Sequence, residues 1–358
     1  MTYTSPLNAE HLKLGAKLTD FGGWLMPLVY REGTIAEHKA VRSGIGMFDV
    51  THLGKITVEG PGAEAALDVA LPGKIAKLRP GRAAYNLVLN AEGGVVDDIF
   101  VYRRPDGFLV VPNASNMDAV LHFLQSLSGP DVVVTDARLR WAIIAVTGPK
   151  AREFLVPRMP GSEDLKMHDF ANLQLNGIDV MVARTGYTGE VTYELLVGWD
   201  DAPAVWSYLL EAAEPHGITP AGLGARDTLR LEMGYPLHGH ELSAEINPVE
   251  AGLGWVIDWD KQFFGKEALL KIKEQGAHRK LVGLLGSEGR IPRTGHAVLS
   301  GSGVVGEVTS GNFSPTLGSP IALAFVGREH AEPGTSLSID IRGKQLPVAV
   351  VTPPFIKN

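Results

Sequence analysis

The chain has 358 residues and no cysteine. That absence excludes disulfides, thiolate nucleophiles and cysteine-ligated zinc, and it suits a reducing compartment. No stretch approaches the roughly 20 apolar residues of a membrane helix. The opening segment, MTYTSPLNAEHLKLGAKLTDF, lacks the apolar run of a signal peptide and carries acidic residues. A cytoplasmic protein with no membrane partner is therefore expected. Basic runs are missing and the formal net charge is −7, which argues against a nucleic-acid partner. Also missing are a P-loop, a G-x-G-x-x-G after a strand, a G-x-S-x-G elbow and an H-E-x-x-H helix. His238 and His240 flank Gly239 in LHGHEL. Two histidines without a third ligand do not make a metal site, and no metal is expected.

What is present is an ordinary globular composition, 45% apolar and 20% charged, at a length that suggests two or three domains. Forty-two glycines and 23 prolines, with no collagen-like period, favour turns and strands over a helical bundle. Residues 8–19 read as a short helix. The glycine pair and Pro27 in DFGGWLMPLVY forbid its continuation and predict a turn into an extended segment. TIAEHKAVRSGIG predicts a second helix, with Thr34 as N-cap, Glu37 closing a capping box, and Gly44 or Gly46 ending it. GKITVEG alternates as a strand, and Pro61 then opens a helix. WAIIAVTG followed by Pro149 and KAREFLV repeats that order about ninety residues later. An internal duplication of an α+β unit and a chance recurrence both account for it.

Between and after these units, RAAYNLVLN and VVDDIFVYRR predict a hairpin, GFLVVPN a third strand, and VMVARTG with VTYELLVG another hairpin. A helix is expected from Ala202 to His216 and another over Glu267 to Arg279. Beyond Lys280 the closely spaced short strands indicate a small β-barrel or sandwich.

Three segments carry potential chemistry. In GGVVDDIFVY, Asp97 and Asp98 are consecutive in an apolar strand, so one carboxylate must point inward and the other outward. The inward one needs a hydrogen-bonded partner or a ligand, because burying an unpaired carboxylate is costly. A satisfied core aspartate is the plainer account. In ARTGYTGEVTYEL, Gly186 and Gly189 bracket Tyr187 in a sharp turn and Glu194 lies in the following strand. A stacking aromatic and a carboxylate that accepts two parallel hydrogen bonds suit a flat, amidine-like heterocycle; a hairpin tip with a solvated glutamate is the alternative. In AGLGARDTLRLEMG the glycines allow close backbone approach, and Arg226, Asp227 and Arg230 open a helix. Surface ion pairs and a first-turn aspartate would explain them equally.

Taken together, DFGGWLMPLVY, RSGIGMFDVTHLG, GGVVDDIFVYR, ARTGYTGEVTYEL, PAGLGARDTLRLE, INPVEAGLGWVI, GKEAL and TSGNFSPTLGSPIALAFV resemble, in order and spacing, the glycine cleavage T-protein (aminomethyltransferase) family from end to end. Thr51 stands where serine is usual in Asp-Val-Ser-His, and Leu25 where glutamate is common. The resemblance implies an α+β fold of three domains arranged as a cloverleaf, with a C-terminal β-barrel. Residues 1–53 with 138–262 would form a discontinuous first domain, 54–137 the second, and 263–358 a linker helix and the barrel.

The family transfers the methylene carbon of S-aminomethyldihydrolipoyl H protein to tetrahydrofolate, giving 5,10-methylenetetrahydrofolate, ammonia and dihydrolipoyl H protein. The resemblance therefore implies an enzyme with tetrahydrofolate as co-substrate and lipoyl-bearing H protein as partner. It implies Asp98 as the catalytic carboxylate and Glu194 as acceptor for the pterin 2-amino and N3 groups. Tyr85, Asn113, Tyr187 and Arg226 map to cofactor-binding positions. Met47 and Trp255 would complete an apolar wall, Met167 would cover a ring face, and Lys357 would stand in for a late polar residue of longer relatives. A stand-alone folate-dependent demethylase and a non-catalytic folate-binding protein are the rival readings. The iron–sulfur and tRNA-modification branch of the latter carries K-G-C-Y-x-G-Q-E, where this chain reads GYPLHGHEL.

Overall fold

The glycines and prolines that punctuate the sequence sort into turns that pair short strands. Gly22 and Gly23 both take positive φ (57° and 81°) and close the two-residue turn of a hairpin, Lys17–Phe21 against Trp24–Val29. The first helix, Asn8–Lys13, is shorter than the apolar spacing predicts. Gly15 ends it at φ 75°, where a Cβ would also meet the Arg31 side chain at 2.3 Å. The second helix, Thr34–Ser43, is capped one residue earlier than expected, with Gly33 at the N-cap and no side-chain cap bond. Glu37 is diverted from a capping box: its Oε1 accepts from Tyr30 N at 2.6 Å and its Oε2 from Gly222 N at 2.9 Å.

The computed structural model describes residues 2–213, 217–287 and 289–357. The helix expected to reach His216 is observed as Ala202–Ala212, and its predicted end lies outside the described residues. Contacts divide the chain into two compact units, Met1–Asn86 with Ile99–Arg226, and Leu87–Asp98 with Asp227–Asn358.

The first unit is built on a six-stranded sheet in the order Phe170–Leu175, Ile178–Ala183, Thr192–Gly198, Trp141–Thr147, Gly46–Asp49, Thr219–Pro220. One face packs a core with helical residues: Met47, Ile144, Val146, Tyr193, Leu195 and Val197 meet Phe154, Leu155, Val205, Trp206 and Leu209. By strand alternation Phe48, Ala145, Glu194 and Leu196 occupy the other face, and the register aligns Ala183, Glu194, Ala145 and Phe48 in one row.

A five-stranded sheet runs Arg82–Leu89, Val95–Arg104, Gly107–Val111, Ile56–Glu59, Val133–Asp136, and the division between the units cuts through its first two strands. The repeated strand–Gly-Pro–helix units open the Ala63–Ala70 and Ala151–Leu155 helices. Gly60 and Gly148 have positive φ (106° and 137°), and at each a Cβ would lie 2.2 Å from a backbone carbonyl, that of Asp131 or of Gly44. The same turn is thus used twice for the same steric reason.

The second unit ends in a closed six-stranded barrel, from Arg279–Gly286 to Lys344–Val351, filled by Leu284, Val298, Val308, Ala324, Ile339 and Val350. The linker helix runs Lys266–Gln275. Arg230, expected at the surface, is 2% exposed and binds Asp227, Glu241 and Ser310 Oγ (2.8 Å). The fold is α+β with a C-terminal barrel. Among the described residues no helix is long and apolar enough to cross a membrane.

Candidate active site

The Thr192–Gly198 strand places Glu194 on the sheet face turned away from the helical core, 8% exposed. Its Oε2 accepts a short hydrogen bond from Thr185 Oγ1, and Thr185 Oγ1 lies 3.2 Å from the hydroxyl of Tyr102. Tyr102 is fully buried, and burial together with the nearby Glu194 charge drives its phenol well above the ordinary range. Its ring packs edge-on against Phe170 at 5.5 Å.

The turn between the two strands holds Tyr187 half-buried, with the Arg226 guanidinium 4.9 Å from its ring centroid. Burial lowers the Arg226 pKa, and Glu194 and Tyr187 partly oppose that shift. The turn itself is clamped. Arg42 Nη1 donates to Thr188 O (2.8 Å) and pairs with Glu190 (2.9 Å), and the hydroxyls of Thr147, Thr188 and Thr192 bond one another. A Cβ on Gly186 would fall 2.6 Å from that of Thr192, which is why only glycine fits there.

Further along, Tyr85 is half-buried and stacks edge-on with Phe100 (5.7 Å), and Phe100 does the same with His168 (5.8 Å). His168 holds an uncommon positive φ of 68°; its carbonyl accepts from Ala83 N at 2.7 Å and its N–H donates to Arg184 O at 2.9 Å. Burial, then the Arg82 charge, lowers its pKa against a smaller opposing effect of Asp169. Asn113 is half-buried at the start of the Ala114–Asn116 turn.

Within the first unit, then, Arg226 is held against Tyr187 and within electrostatic reach of Glu194, and Tyr85 joins a neighbouring aromatic row. Met47 does not join them. It is fully buried on the opposite face of the six-stranded sheet, in the helical core, because alternation puts Phe48 on the Glu194 side. Met167 is 70% exposed beside His168, with its carbonyl accepting from Arg82. Trp255 belongs to the second unit, in the Gly254–Val256 turn, and is also 70% exposed. Lys357 is exposed.

Asp97 and Asp98 divide as the alternation requires. Asp97 is fully buried and Asp98 half-buried. Asp98, Phe100 and Tyr102 leave one side of the Val95–Arg104 strand, and Asp97, Ile99 and Val101 the other. The start of that strand is anchored in the second unit, where Val95 N donates to the carbonyls of Ser243 and Ile246 and Val95 O faces His238 Nε2 at 3.3 Å. His240 Nδ1 meets Thr309 O at 2.8 Å. Both histidines of LHGHEL thus serve backbone carbonyls, and among the described residues no group of three or more potential ligands is placed to hold a metal.

Sequence reasoning missed Thr185, Tyr102, Phe100 and His168. Two-residue stepping from Asp98 along its strand would have found Phe100 and Tyr102. Nothing in the sequence marks His168.

In the Asp-Val-Thr-His segment, Asp49 lies on the core side of the sheet. Asp49 is buried, and its carboxylate accepts from Ser5 Oγ (2.5 Å), His11 Nε2 (2.8 Å) and Thr51 N (2.9 Å). Burial alone would raise its pKa, but these donors outweigh it and hold the carboxyl below its usual range. Thr51 keeps the hydroxyl that serine would supply, accepting from Ile143 N at 3.1 Å. His52 is buried and pushed down to about 3, by burial and then by the Arg226 charge. Lys55 donates to Thr51 O at 2.7 Å, and burial lowers it to about 7.

Comparisons with known proteins identify the family. Residues 7–261 match the GCVT N-terminal domain model, and residues 279–357 the glycine cleavage T-protein C-terminal barrel domain model. An aminomethyltransferase of Saccharopolyspora erythraea is 48% identical over 362 residues, covering 99% of this chain and 98% of that protein. One from Mycobacterium tuberculosis is 44% identical over 355 residues, covering 98% and 96%. The crystal structure of the glycine cleavage system aminomethyltransferase T from Bartonella henselae superposes with a TM-score of 0.93 at 33% identity, over 99% of this chain and 98% of that one. The chain belongs to the glycine cleavage T-protein, or aminomethyltransferase, family.

Proposed function

We propose that this chain is the aminomethyltransferase of the glycine cleavage system, working in the cytoplasm with lipoyl-bearing H protein and tetrahydrofolate. The observation that carries this reading is the end-to-end similarity to aminomethyltransferases, at 44–48% identity over nearly the whole of both chains. In the reaction the carbon–sulfur bond of S-aminomethyldihydrolipoyl H protein breaks and the amino group leaves as ammonia. Tetrahydrofolate supplies the two nitrogens that capture the carbon, and their two protons go to ammonia and to the lipoyl thiolate.

The residues of this chain then have distinct tasks. Glu194 accepts from the pterin 2-amino and N3–H groups; the chemistry of the donor set fits, since a carboxylate matches a parallel donor pair. Tyr187 offers a ring face, and Arg226, held against that ring, keeps a positive charge beside the carboxylate. Tyr85 and Asn113 are proposed as further pterin contacts, with Met167 and Trp255 as apolar cover. Met47 supports the sheet from its core side. Asp98 is the proposed catalytic carboxylate. It stabilises positive charge at the transferred carbon and takes up the proton released from nitrogen.

The test is ammonia release from aminomethylated H protein and tetrahydrofolate. Wild type should release ammonia in proportion to methylenetetrahydrofolate formed. Asp98→Asn should slow turnover by about 100-fold or more, the usual range for an acid–base group, with folate affinity within about twofold of wild type. Normal turnover by that variant would remove Asp98 from the mechanism. No ammonia from the wild type would overturn the assignment.

A further inference from the structure

We propose that Thr185 is a positioning residue for Glu194, and that the buried chain Tyr102–Thr185–Glu194 restricts the site to a ligand edge made of hydrogen-bond donors. The inference deepens the pterin reading above and rests on it.

A threonine hydroxyl carries one proton. Thr185 is 4% exposed and has two oxygen neighbours, Glu194 Oε2 and the Tyr102 hydroxyl. If its proton goes to the carboxylate, it must accept from Tyr102. Burial and the adjacent negative charge hold the proton on the phenol, which hydrogen-bonds Glu194 as well as Thr185. The two hydroxyls thus converge on the Glu194 carboxylate, with Thr185 donating to Oε2.

Two consequences follow. First, Thr185 fixes the carboxylate plane by engaging Oε2 from one side. A glutamate with three side-chain torsions otherwise loses conformational freedom only when the ligand arrives, which weakens binding. Second, Thr185 presents its only proton to the carboxylate, so Glu194 meets a ligand as an acceptor. The remaining lone pairs of Glu194 then meet N–H and NH2 donors and repel a ligand that presents a carbonyl oxygen or ring-nitrogen lone pair at the same place.

Thr185 can do this because its backbone is held. The Phe170–Ala183 register ends one residue before Arg184, whose N–H donates to Asp169 O at 2.9 Å. Gly186 packs directly against Thr192, and the Thr147–Thr188–Thr192 hydroxyl cluster with Arg42 pins the residues beyond. A valine at 185 would match this packing in shape. What requires threonine is the hydroxyl between two buried polar groups.

The experiment compares the full chain as wild type, Thr185→Val, Thr185→Ser, Tyr102→Phe and Glu194→Ala. Tetrahydrofolate Kd is read by calorimetry, KM and kcat from ammonia release, and folding from the melting temperature. Thr185→Val should raise Kd and KM for tetrahydrofolate about tenfold or more, a typical effect for losing a hydrogen bond to a charged group, while kcat at saturating folate changes less than about threefold. Thr185→Ser should bind within about threefold of wild type. Tyr102→Phe should act in the same direction by about threefold, and it carries the test if Thr185→Val fails to fold.

Wild-type affinity in Thr185→Val, or in Tyr102→Phe if that variant carries the test, alongside weakened Glu194→Ala, would overturn the positioning role and leave the pterin reading standing. So would a Thr185→Ser variant as weak as Thr185→Val. Unchanged affinity in Glu194→Ala would remove the pterin reading and this inference together.

Discussion

The six-stranded sheet carries a buried carboxylate on each face, and the two are treated differently. Asp49, on the helical side, is enclosed by donors from Ser5, His11 and Thr51, and His11 in turn meets the Tyr30 hydroxyl at 2.8 Å. Glu194, on the other side, is engaged by Thr185 through Oε2 and lies within electrostatic reach of the Arg226 guanidinium. A carboxylate fully buried among protein donors is a structural part, since no ligand can reach it. One met by the hydroxyls of Thr185 and Tyr102 at an 8% exposed position keeps acceptor capacity for a ligand. The contrast shows why burial alone does not mark a functional acid: the number and direction of its donors do.

The contrast can be broken most severely at Asp49. Asp49→Ala should destabilise the protein by about 3–5 kcal/mol, the cost of breaking a buried charged network, measured by urea denaturation. A loss below about 1 kcal/mol would mean that the core face does not depend on this acid. Glu194→Ala should show the reverse pattern. Folding stability should fall by about 1 kcal/mol or less, while tetrahydrofolate affinity drops about 30-fold, or about 2 kcal/mol. Equal effects on both quantities would erase the distinction between the faces.

Acid titration sharpens it further. His52 has a folded pKa of about 3 against 6.5 in the unfolded chain, so the unfolded state binds more protons between those values. Stability should therefore be lost as the pH falls from 6.5 toward 3. His52→Gln should lose less over that interval, by about 1–2 kcal/mol in denaturation curves; parallel curves would refute the neutral buried imidazole. The smallest effect is expected at Lys55. Burial lowers its pKa from 10.5 to about 7, so wild-type stability contains a cost that grows as the pH falls from 10.5 to 7 and is complete below 7. Lys55→Met should gain stability relative to wild type by about 1 kcal/mol between pH 10 and pH 6.5, seen as a widening gap in melting temperature. A constant gap would show that Lys55 stays charged throughout.

Much of this was legible in the sequence where the signal is local. The Gly22–Gly23 turn, the hairpin of Ile178–Ala183 with Thr192–Gly198 and the closely spaced strands of the barrel all follow from turn chemistry and alternation. Alternation also required Asp97 and Asp98 to part, although it could not say which would be buried. The capping box at Thr34 misled, because Glu37 finds better partners in Tyr30 N and in Gly222 N, the latter 185 residues away. The expected helix over 8–19 overran for a related reason. Gly15 is crowded by Arg31, a neighbour that helical periodicity does not register.

The sequence by itself determined the family, the α+β class with its barrel, and the residue types proposed to grip a pterin, because these depend on local pattern and on many short segments in order. The tertiary structure alone decided that Met47 faces the core and Phe48 the Glu194 side, that Asp49 is buried among protein donors, and that Thr185 and Tyr102 stand behind Glu194. Those facts come from strand order and from side chains meeting across long stretches of chain. A carboxylate's hydrogen-bond partners are set by which strands become neighbours, and no spacing along the chain encodes that.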